Sequence, residues 1–232
     1  MNKEIKFYQV GGCVRDEILG LKSKDIDYSV VAPSYAAMKL EIQKRGGEIF
    51  LENPEFLTIR AKVPGMGACD FVCCRKDGVY SDGRHPESVE MGSLEDDLGR
   101  RDFTMNAIAK AEDGSYIDPF GGRKDMEKGI IRCVGSAFDR FNEDYLRVLR
   151  AIRFSVTKDM QLDSDISLCM FQQCCSEGIK KISVERVREE LYKAFMFDSL
   201  ATWNLLERYV KLRISIFGKS GLGLRLKPTL EK

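Results

Sequence analysis

The sequence predicts an α+β protein in which a mixed or antiparallel sheet with helices is followed by an all-α region. Short apolar runs with strand-like alternation dominate the first part of the chain, as in Leu57 to Val63, where every second residue is apolar. The last such run, Ile130 to Val134, ends at Gly135, and from Ser136 onward the spacing is helical. The predicted divisions are a sheet-containing domain over 1–135, a helical domain over 136–217 and a tail over 218–232.

Composition indicates a globular protein without a membrane span. The 232 residues are 44% hydrophobic and 31% charged, and the net charge is +1. Basic residues cluster around 100–101, 147–153 and 180–188, so basic patches for nucleic acid are local. No apolar run approaches the roughly 20 residues that a span requires, and the start Met-Asn-Lys-Glu is not a signal peptide. We therefore expect a cytoplasmic protein with no membrane partner.

The eight cysteines form no recognisable framework. No CxxC pair occurs and His85 is the one histidine, which argues against a structural zinc site. We expect reduced thiols, most of them small core residues.

The opening stretch carries the first candidate site. An apolar run ends at Gly11-Gly12, where backbone amides could approach a phosphate, and the next run, Ile26 to Val31, has Asp25 and Asp27 at its head. Alternate residues of a strand point the same way, so the two carboxylates share a face and Ile26 turns into the core. Paired carboxylates suit magnesium. The alternatives are an ordinary glycine turn and a solvated or capping acid pair.

Further segments follow with their own alternatives. Tyr35 to Arg45 has helical spacing, and strand-like runs cover Glu48 to Leu51 and Ala68 to Cys74. Asp70, in the last of these, is a candidate third carboxylate facing Asp25 and Asp27, or else a strand-edge acid.

The middle of the chain combines an exposed loop with a capped helix. Glycines and charges over Lys76 to Gly92 indicate the loop, and Ser93 with Asp96 indicates a helix start. Arg100-Arg101 is either a helix-end ion pair or a clamp on a triphosphate, and Phe103 to Ala109 is predicted to form a short helix.

The helical region contains one basic stripe. Over Glu143 to Phe154 the apolar positions fall on one face, and Asp144, Arg147, Arg150 and Arg153 recur every three residues along the flank. Unaided, this pattern is typical of a solvated basic face. A further helix is predicted over Leu200 to Leu212, with three core-facing candidates, Trp203, Leu206 and Val210.

Several motifs together resemble one family. GG-x-VRD with DID, LEDDLGRRDFTMNAIA, DPFGG, EDYLR and ERVREEL occur in the order found in class II CCA-adding enzymes and bacterial poly(A) polymerases. These belong to the polymerase β-like nucleotidyltransferase superfamily, so the resemblance implies a catalytic head over 1–135 and a helical neck. It implies that Mg²⁺ is held by Asp25 and Asp27, that the triphosphate is bound by Gly12, Arg15 and Arg101, that the base is selected by Asp144 and Arg147, and that Arg150 and Arg153 assist nucleotide binding.

The implied activity is addition or repair of the 3′-terminal CCA of tRNA from CTP and ATP by two-metal catalysis. Partial A or C addition, poly(A)-type tailing of another RNA, and an inactive nucleotide-binding relative are the alternatives. Tyr145 departs from the commoner proline of EDPLR. The resemblance covers head and neck with a shortened C-terminus, so we expect weak, salt-dependent tRNA binding and leave oligomerisation open.

Overall fold

A computed structural model describes residues 4–23, 25–78 and 88–218. Contacts divide the chain into two compact units. Unit 1 comprises Met1–Lys128 with Arg132–Gly135, and unit 2 comprises Gly129–Ile131 with Ser136–Lys232. The predicted tail lies outside the described residues apart from Gly218, as does most of the predicted loop, at 79–87.

Unit 1 is the sheet-containing unit. Its described strands are β1 (Lys6–Val10), β2 (Ile26–Val31), β3 (Glu48–Asn53), β4 (Thr58–Val63), β5 (Gly67–Cys73), β6 (Arg75–Asp77), β7 (Val89–Met91), β8 (Ala109–Ala111) and β9 (Tyr116–Ile117). Its described helices are α1 (Gly12–Ile18), α2 (Tyr35–Lys44), α3 (Leu94–Gly99) and α4 (Gly122–Glu127).

The main sheet is mixed, as the sequence predicted. Among the described residues it has seven strands in the order β3-β4-β5-β2-β1-β8-β9. β2 and β5 run parallel, whereas the other neighbours are antiparallel. The parallel pair is central, and it is the pair that carries the acidic residues.

The two faces of this sheet are covered differently. On one face, α2 packs on an apolar layer in which the rings of Tyr28 and Phe71 stack with centroids 5.1 Å apart. On the other face, a second apolar cluster covers β1, β8 and β9: Val10, Leu98, Ala107, Ala109 and Val134, with Ile117 packed against them. Over β4 the same face stays open, because Arg60 and Lys62 are exposed. The cover therefore ends beside β2, where a polar site can reach solvent.

The segment around residue 100 corrects one prediction. Ser93 caps α3 through a capping box with Asp96, as predicted. The predicted helix over Phe103 to Ala109 is wrong, since only Thr104–Asn106 form a single 3-10 turn. Phe103 pairs with Cys133, and Ala109 enters β8. Tertiary pairing at both ends of this segment overrides its helical spacing.

Unit 2 is mainly helical. Its described elements are β10 (Ile130–Ile131), α5 (Ala137–Glu143), α6 (Leu146–Thr157), β11 (Gln161–Leu162), α7 (Ser164–Phe171), α8 (Gln173–Ile179), α9 (Val184–Phe197), α10 (Ser199–Arg208) and α11 (Val210–Phe217). The predicted strand over Ile130 to Val134 is thus reduced to two residues, which pair in parallel with β11.

Helix ends in unit 2 differ from the predictions. The helix predicted over Glu143 to Phe154 is broken at Asp144, which has extended backbone between α5 and α6. The helix predicted over Leu200 to Leu212 is broken at Tyr209.

Of the three core candidates in that second segment, Leu206 is fully buried, whereas Trp203 and Val210 are 37% and 48% exposed. The break changes the direction of the helical face, so a single periodicity cannot assign both halves.

Candidate active site

Three acidic residues of unit 1 lie on the sheet face opposite α2, where the cover of the second apolar cluster ends. Asp25 directly precedes β2, and Asp27 pairs with Asp70 across the parallel strands β2 and β5. Directly paired residues point to the same side of a sheet, so these two carboxylates are neighbours. Ile26 packs against the opposite, α2-covered cluster, as predicted. The structure therefore brings together Asp25, Asp27 and Asp70.

The surroundings of Asp27 disfavour its ionised form. Burial and the neighbouring charge of Asp70 raise the pKa of Asp27, and Asp25 adds to the effect, while Arg101 and Arg60 oppose it. Within the described part of the chain no donor bonds to the Asp27 carboxylate. Its negative charge is thus incompletely neutralised by protein groups, a condition that a bound cation would relieve.

A divalent cation would fit this group only with help from a ligand. Among the described residues, no set of three or more His, Cys, Asp or Glu side chains is gathered so as to hold a metal ion by itself. Magnesium usually takes one or two carboxylates and completes its shell with water and substrate phosphates. The carboxylates here suit that mode of binding.

Arg101 lies beside the acidic group and is held there by a buried acid. Its Nη2 donates to Oδ2 of Asp97 at 3.2 Å and to Oγ of Ser29 at 3.3 Å. Asp97 also accepts from Arg100, with Nη2 to Oδ1 at 2.6 Å. The Nε of Arg101 is buried and has no hydrogen-bond partner in the described residues. Arg101 is therefore fixed next to Asp27 with donor capacity left over.

Asp97 is a site residue that sequence reasoning missed. Its side chain is fully buried. Burial works to raise the pKa of Asp97, but the guanidinium groups of Arg100 and Arg101, with the Ser29 hydroxyl, outweigh it and hold that pKa below its ordinary value. The sequence offered one signal, an acid three and four residues before a double arginine, which places the three groups on one helical side.

The glycine turn approaches Arg101 closely. Gly11 has φ +75°, a left-handed conformation, and a Cβ added there would lie 3.0 Å from Arg101 Nη1 and 3.8 Å from Asp27 Oδ2. Gly11 must therefore be glycine for both reasons. Gly12, the residue singled out from sequence, is the first residue of α1, and a Cβ there would meet Arg15 Nη2 at 3.6 Å.

Arg15 is drawn inward by other side chains. It is 7% exposed, donates from Nη1 to Oδ1 of Asn106 at 2.7 Å, and pairs with Asp16. Asn106 in turn donates to Asp102 at 2.9 Å. This chain of contacts ties α1 to the RRDFTMNA segment and gives Arg15 a structural role beside any contact with phosphate.

In unit 2, Asp144 lies at the junction that precedes α6. Its Oδ1 accepts from the backbone N–H of Leu146 at 2.9 Å, and its Oδ2 accepts from Arg186 Nη2 at 2.7 Å. The carboxylate thus caps the start of α6 while α9 holds its other oxygen. Tyr145, which follows, lies so close to Gly178 of α8 that no Cβ fits there.

The three arginines of the stripe are also anchored within unit 2. Arg147 Nη1 lies 2.5 Å from Glu143 Oε2. Glu190 of α9, itself buried, receives Arg153 Nε at 2.6 Å and lies 3.8 Å from Arg150 Nη1. Helix α9 thus braces α6 through Glu190.

The thiols agree with the sequence expectation. All eight cysteines are free and seven of them are buried. In the described part of the chain, no helix has the length and apolar character needed to cross a membrane.

The fold and the site together define a class of protein. It is an α+β domain whose mixed sheet presents carboxylates, suited to a divalent cation, beside an arginine held by a buried acid, suited to phosphate. The sequence profile of the Poly A polymerase head domain matches residues 7–132. The chain therefore belongs to the Poly A polymerase head domain family.

Curated and solved relatives agree with this membership. The CCA-adding enzyme of Streptococcus sanguinis (strain SK36) is 38% identical over 190 residues, which is 82% of this chain and 46% of the relative. The crystal structure of the Bacillus stearothermophilus CCA-adding enzyme in complex with CTP has a TM-score of 0.80 at 33% identity, covering 96% of this chain and 52% of that one.

A second solved structure, a tRNA nucleotidyltransferase complexed with a primer tRNA and an incoming ATP analog, has a TM-score of 0.73 at 29% identity. It covers 91% of this chain and 59% of that one. The chain thus spans about half the length of the relatives that it matches.

Proposed function

We propose that this chain is a template-independent RNA nucleotidyltransferase that adds or repairs the 3′-terminal CCA of tRNA in the cytoplasm. CTP and ATP are the nucleotide donors. The 3′-oxygen of the RNA forms a bond to the α-phosphate as its proton passes to water, the bond between the α- and β-phosphates breaks, and pyrophosphate leaves. One observation carries the proposal: Asp27 pairs with Asp70 beside Asp25 and next to Arg101, and burial together with the charge of Asp70 raises the pKa of Asp27.

The carboxylates are the proposed metal ligands. Asp25 and Asp27, with Asp70 as a third candidate, would hold Mg²⁺ ions. When bound, such ions lower the pKa of an attacking hydroxyl and neutralise phosphate charge. The raised pKa of Asp27 fits this role, because a cation would offset the repulsion between paired carboxylates.

The cationic and glycine residues of unit 1 are the proposed triphosphate ligands. Arg101, held by Asp97, would present its guanidinium to phosphate oxygens, for which a planar fork is well shaped. Gly12 would allow close approach of backbone amides. Arg15 would contribute from the same side while remaining tied to Asn106.

In unit 2, Asp144 and Arg147 are the proposed base-selecting pair. A carboxylate accepts and a guanidinium donates, which together can distinguish the hydrogen-bonding edges of cytosine and adenine. Their present contacts with Arg186 and Glu143 hold both side chains in place. Arg150 and Arg153 would assist nucleotide binding, chiefly through charge, since both contact Glu190.

One assay tests this assignment and its alternative. The purified protein is offered tRNAs ending before CCA, after C and after CC, together with an unrelated RNA, each with labelled CTP or ATP. Ordered C, C and A addition is expected, and Asp27→Ala should abolish it while circular dichroism stays unchanged.

The second candidate is poly(A)-type tailing, which the matched family's name favours. Long A-only tails on any RNA would establish that activity instead. No incorporation with retained nucleotide binding would overturn both.

A further inference from the structure

The uncovered part of the main sheet carries a row of four side chains, and the proposed roles explain only its two acids. Strand registers place Leu51 beside Arg60, Arg60 beside Asp70, and Asp70 beside Asp27. Directly paired residues point to one side, so these four form a row across β3, β4, β5 and β2, here called the cross-sheet row. It passes from an apolar residue to a cation and then to two acids.

The outer half of the cross-sheet row is open to solvent. Leu51 is 63% exposed, and the Arg60 side chain is 43% exposed. An exposed arginine with an exposed apolar side chain beside it can contact a single-stranded nucleic acid, the cation at a phosphate and the apolar group at a ribose or base.

The two arginines that flank the acids are held differently. Arg101, at the β1 side, is held by Asp97 and Ser29. Arg60, at the β4 side, has one described ion pair, from Nε to Asp70 Oδ1 at 3.5 Å, and that pair is exposed. Exposed pairs of this kind are weak and exchange readily for another anion.

The direction of the reaction separates the two sides. In phosphoryl transfer the attacking and leaving oxygens lie roughly in line on opposite sides of the phosphorus atom. The proposed triphosphate ligands, Gly12, Arg15 and Arg101, all lie on the β1 side of Asp27. The leaving pyrophosphate therefore belongs on that side, and the attacking RNA end belongs on the β4 side.

We propose that Arg60 binds a phosphodiester of the RNA 3′ end and that Leu51 packs against the adjoining ribose or base. This assignment rests on the proposed function and names a substrate subsite on the same face. Arg60 is thereby a substrate-binding residue, distinct from the triphosphate ligands.

The first test measures RNA binding without metal or nucleotide. Binding of a fluorescent single-stranded RNA ending in CC is titrated for the full chain, Arg60→Gln, Arg60→Lys and Leu51→Ser over a range of salt concentrations. The matched control is Lys39→Gln, which removes another exposed cation, paired with Glu52 at 2.9 Å.

We expect Arg60→Gln to weaken binding about fivefold, the upper range for one exposed ion pair. It should also reduce the slope of log K against log salt by about 0.7, the value for one single-strand phosphate. Arg60→Lys should keep the wild-type slope, Leu51→Ser should weaken binding without changing the slope, and Lys39→Gln should change neither.

The second test separates this inference from the proposed function. In the incorporation assay, Arg60→Gln should raise KM for RNA and leave KM for CTP unchanged. Incorporation by the wild type with no change in RNA affinity or KM for Arg60→Gln would overturn the inference alone. If Arg60 only neutralises Asp70, Arg60→Gln will tighten Mn²⁺ binding and leave RNA affinity as it was, which also overturns it. Absence of incorporation by the wild type would refute the proposed function, while the binding titration would still decide on Arg60.

Discussion

Replacing Asp97 by asparagine should lower the free energy of unfolding of unit 1 and release Arg101 from its fixed position. The side chain of Asp97 is completely buried. Its carboxylate accepts from Arg100 Nε at 3.0 Å, from Arg100 Nη2 at 2.6 Å, from Arg101 Nη2 at 3.2 Å and from Ser29 Oγ at 2.5 Å. Asparagine has nearly the same shape, but it lacks the charge and turns one acceptor oxygen into a donor that faces guanidinium groups.

The expected loss is about 3 kcal/mol in the free energy of unfolding. Removing one partner of a buried ion pair costs about 3–5 kcal/mol, because the remaining charge stays buried without compensation. The lower end applies here, since the Arg100 and Arg101 side chains keep 24% and 20% of their surface exposed and can be rehydrated. Asp96→Asn is the control on the same helix turn and should cost no more than about 1 kcal/mol, the usual value of a cap.

The dependence on pH has a defined sign. The pKa of Asp97 is lowered in the folded protein from a reference value of 3.8, so its contribution to stability is complete above that value. It disappears as the pH falls through the folded-state pKa. The difference between wild type and Asp97→Asn should therefore be largest at neutral pH and shrink below about pH 4.

Urea unfolding followed by far-ultraviolet circular dichroism measures the loss, and hydrogen exchange on peptides from β2 and α3 locates it. An Asp97→Asn protein within about 1 kcal/mol of the wild type at neutral pH would refute the reasoning, since about 3 kcal/mol is expected. A difference that grows toward acid pH would refute it as well.

Three further changes test other parts of the structure. Asp27→Asn should stabilise the metal-free protein by about 1 kcal/mol at neutral pH, a usual gain when a charge is removed from an active site. Because the folded protein raises the pKa of Asp27, the ionised carboxylate destabilises the wild type as the pH rises, and the gain measured by thermal unfolding should vanish in acid. Gly178→Ala should cost about 1–3 kcal/mol, because a Cβ there overlaps the ring of Tyr145; unfolding followed by the single tryptophan should show the loss, and Tyr145→Ala should relieve it. Glu190→Gln should cost about 3 kcal/mol in urea unfolding, because the buried Glu190 carboxylate receives Arg153 Nε at 2.6 Å, whereas replacing the exposed Glu189 by glutamine should have no measurable effect.

Local chemistry explains which parts of the fold could be predicted. β4 alternates buried and exposed residues along its whole length, and such a pattern has one interpretation. Ser93 and Asp96 satisfy each other's backbone amides within four residues, so the start of α3 needed no tertiary information. Strand geometry also predicts a common direction for Asp25 and Asp27, and the structure places Asp27 in β2 and Asp25 immediately before it.

Partners distant in sequence explain the failures. Phe103 lies in extended backbone because it pairs with Cys133, thirty residues later in the chain. Asp144 was expected on a helix, but its carboxylate caps α6 and meets Arg186 of α9, which fixes an extended conformation. No periodicity within either segment contains these pairings, and tertiary contacts outweigh the small differences of helix propensity.

Two acids of unit 1, the buried Asp97 and the half-buried Asp27 of β2, have opposite roles: one stabilises the fold and the other is available for binding. Asp97 accepts hydrogen bonds from Ser29, Arg100 and Arg101, so its pKa falls and its charge stabilises the folded protein. Among the described residues no donor bonds to the Asp27 carboxylate. Burial together with the charge of Asp70 raises the pKa of Asp27, so its negative charge destabilises the folded protein when no ligand is bound.

Arg101 interacts with both acids. Asp97 holds it by a hydrogen bond, at a place where the positive charge of Arg101 acts on Asp27 without a hydrogen bond between them. Asp97 therefore fixes Arg101 in place, and Asp27 keeps a negative charge that can bind a cation. If the opposite were true and Arg101 satisfied Asp27 directly, the pair would be self-neutralised and would have little affinity for a metal ion or a phosphate.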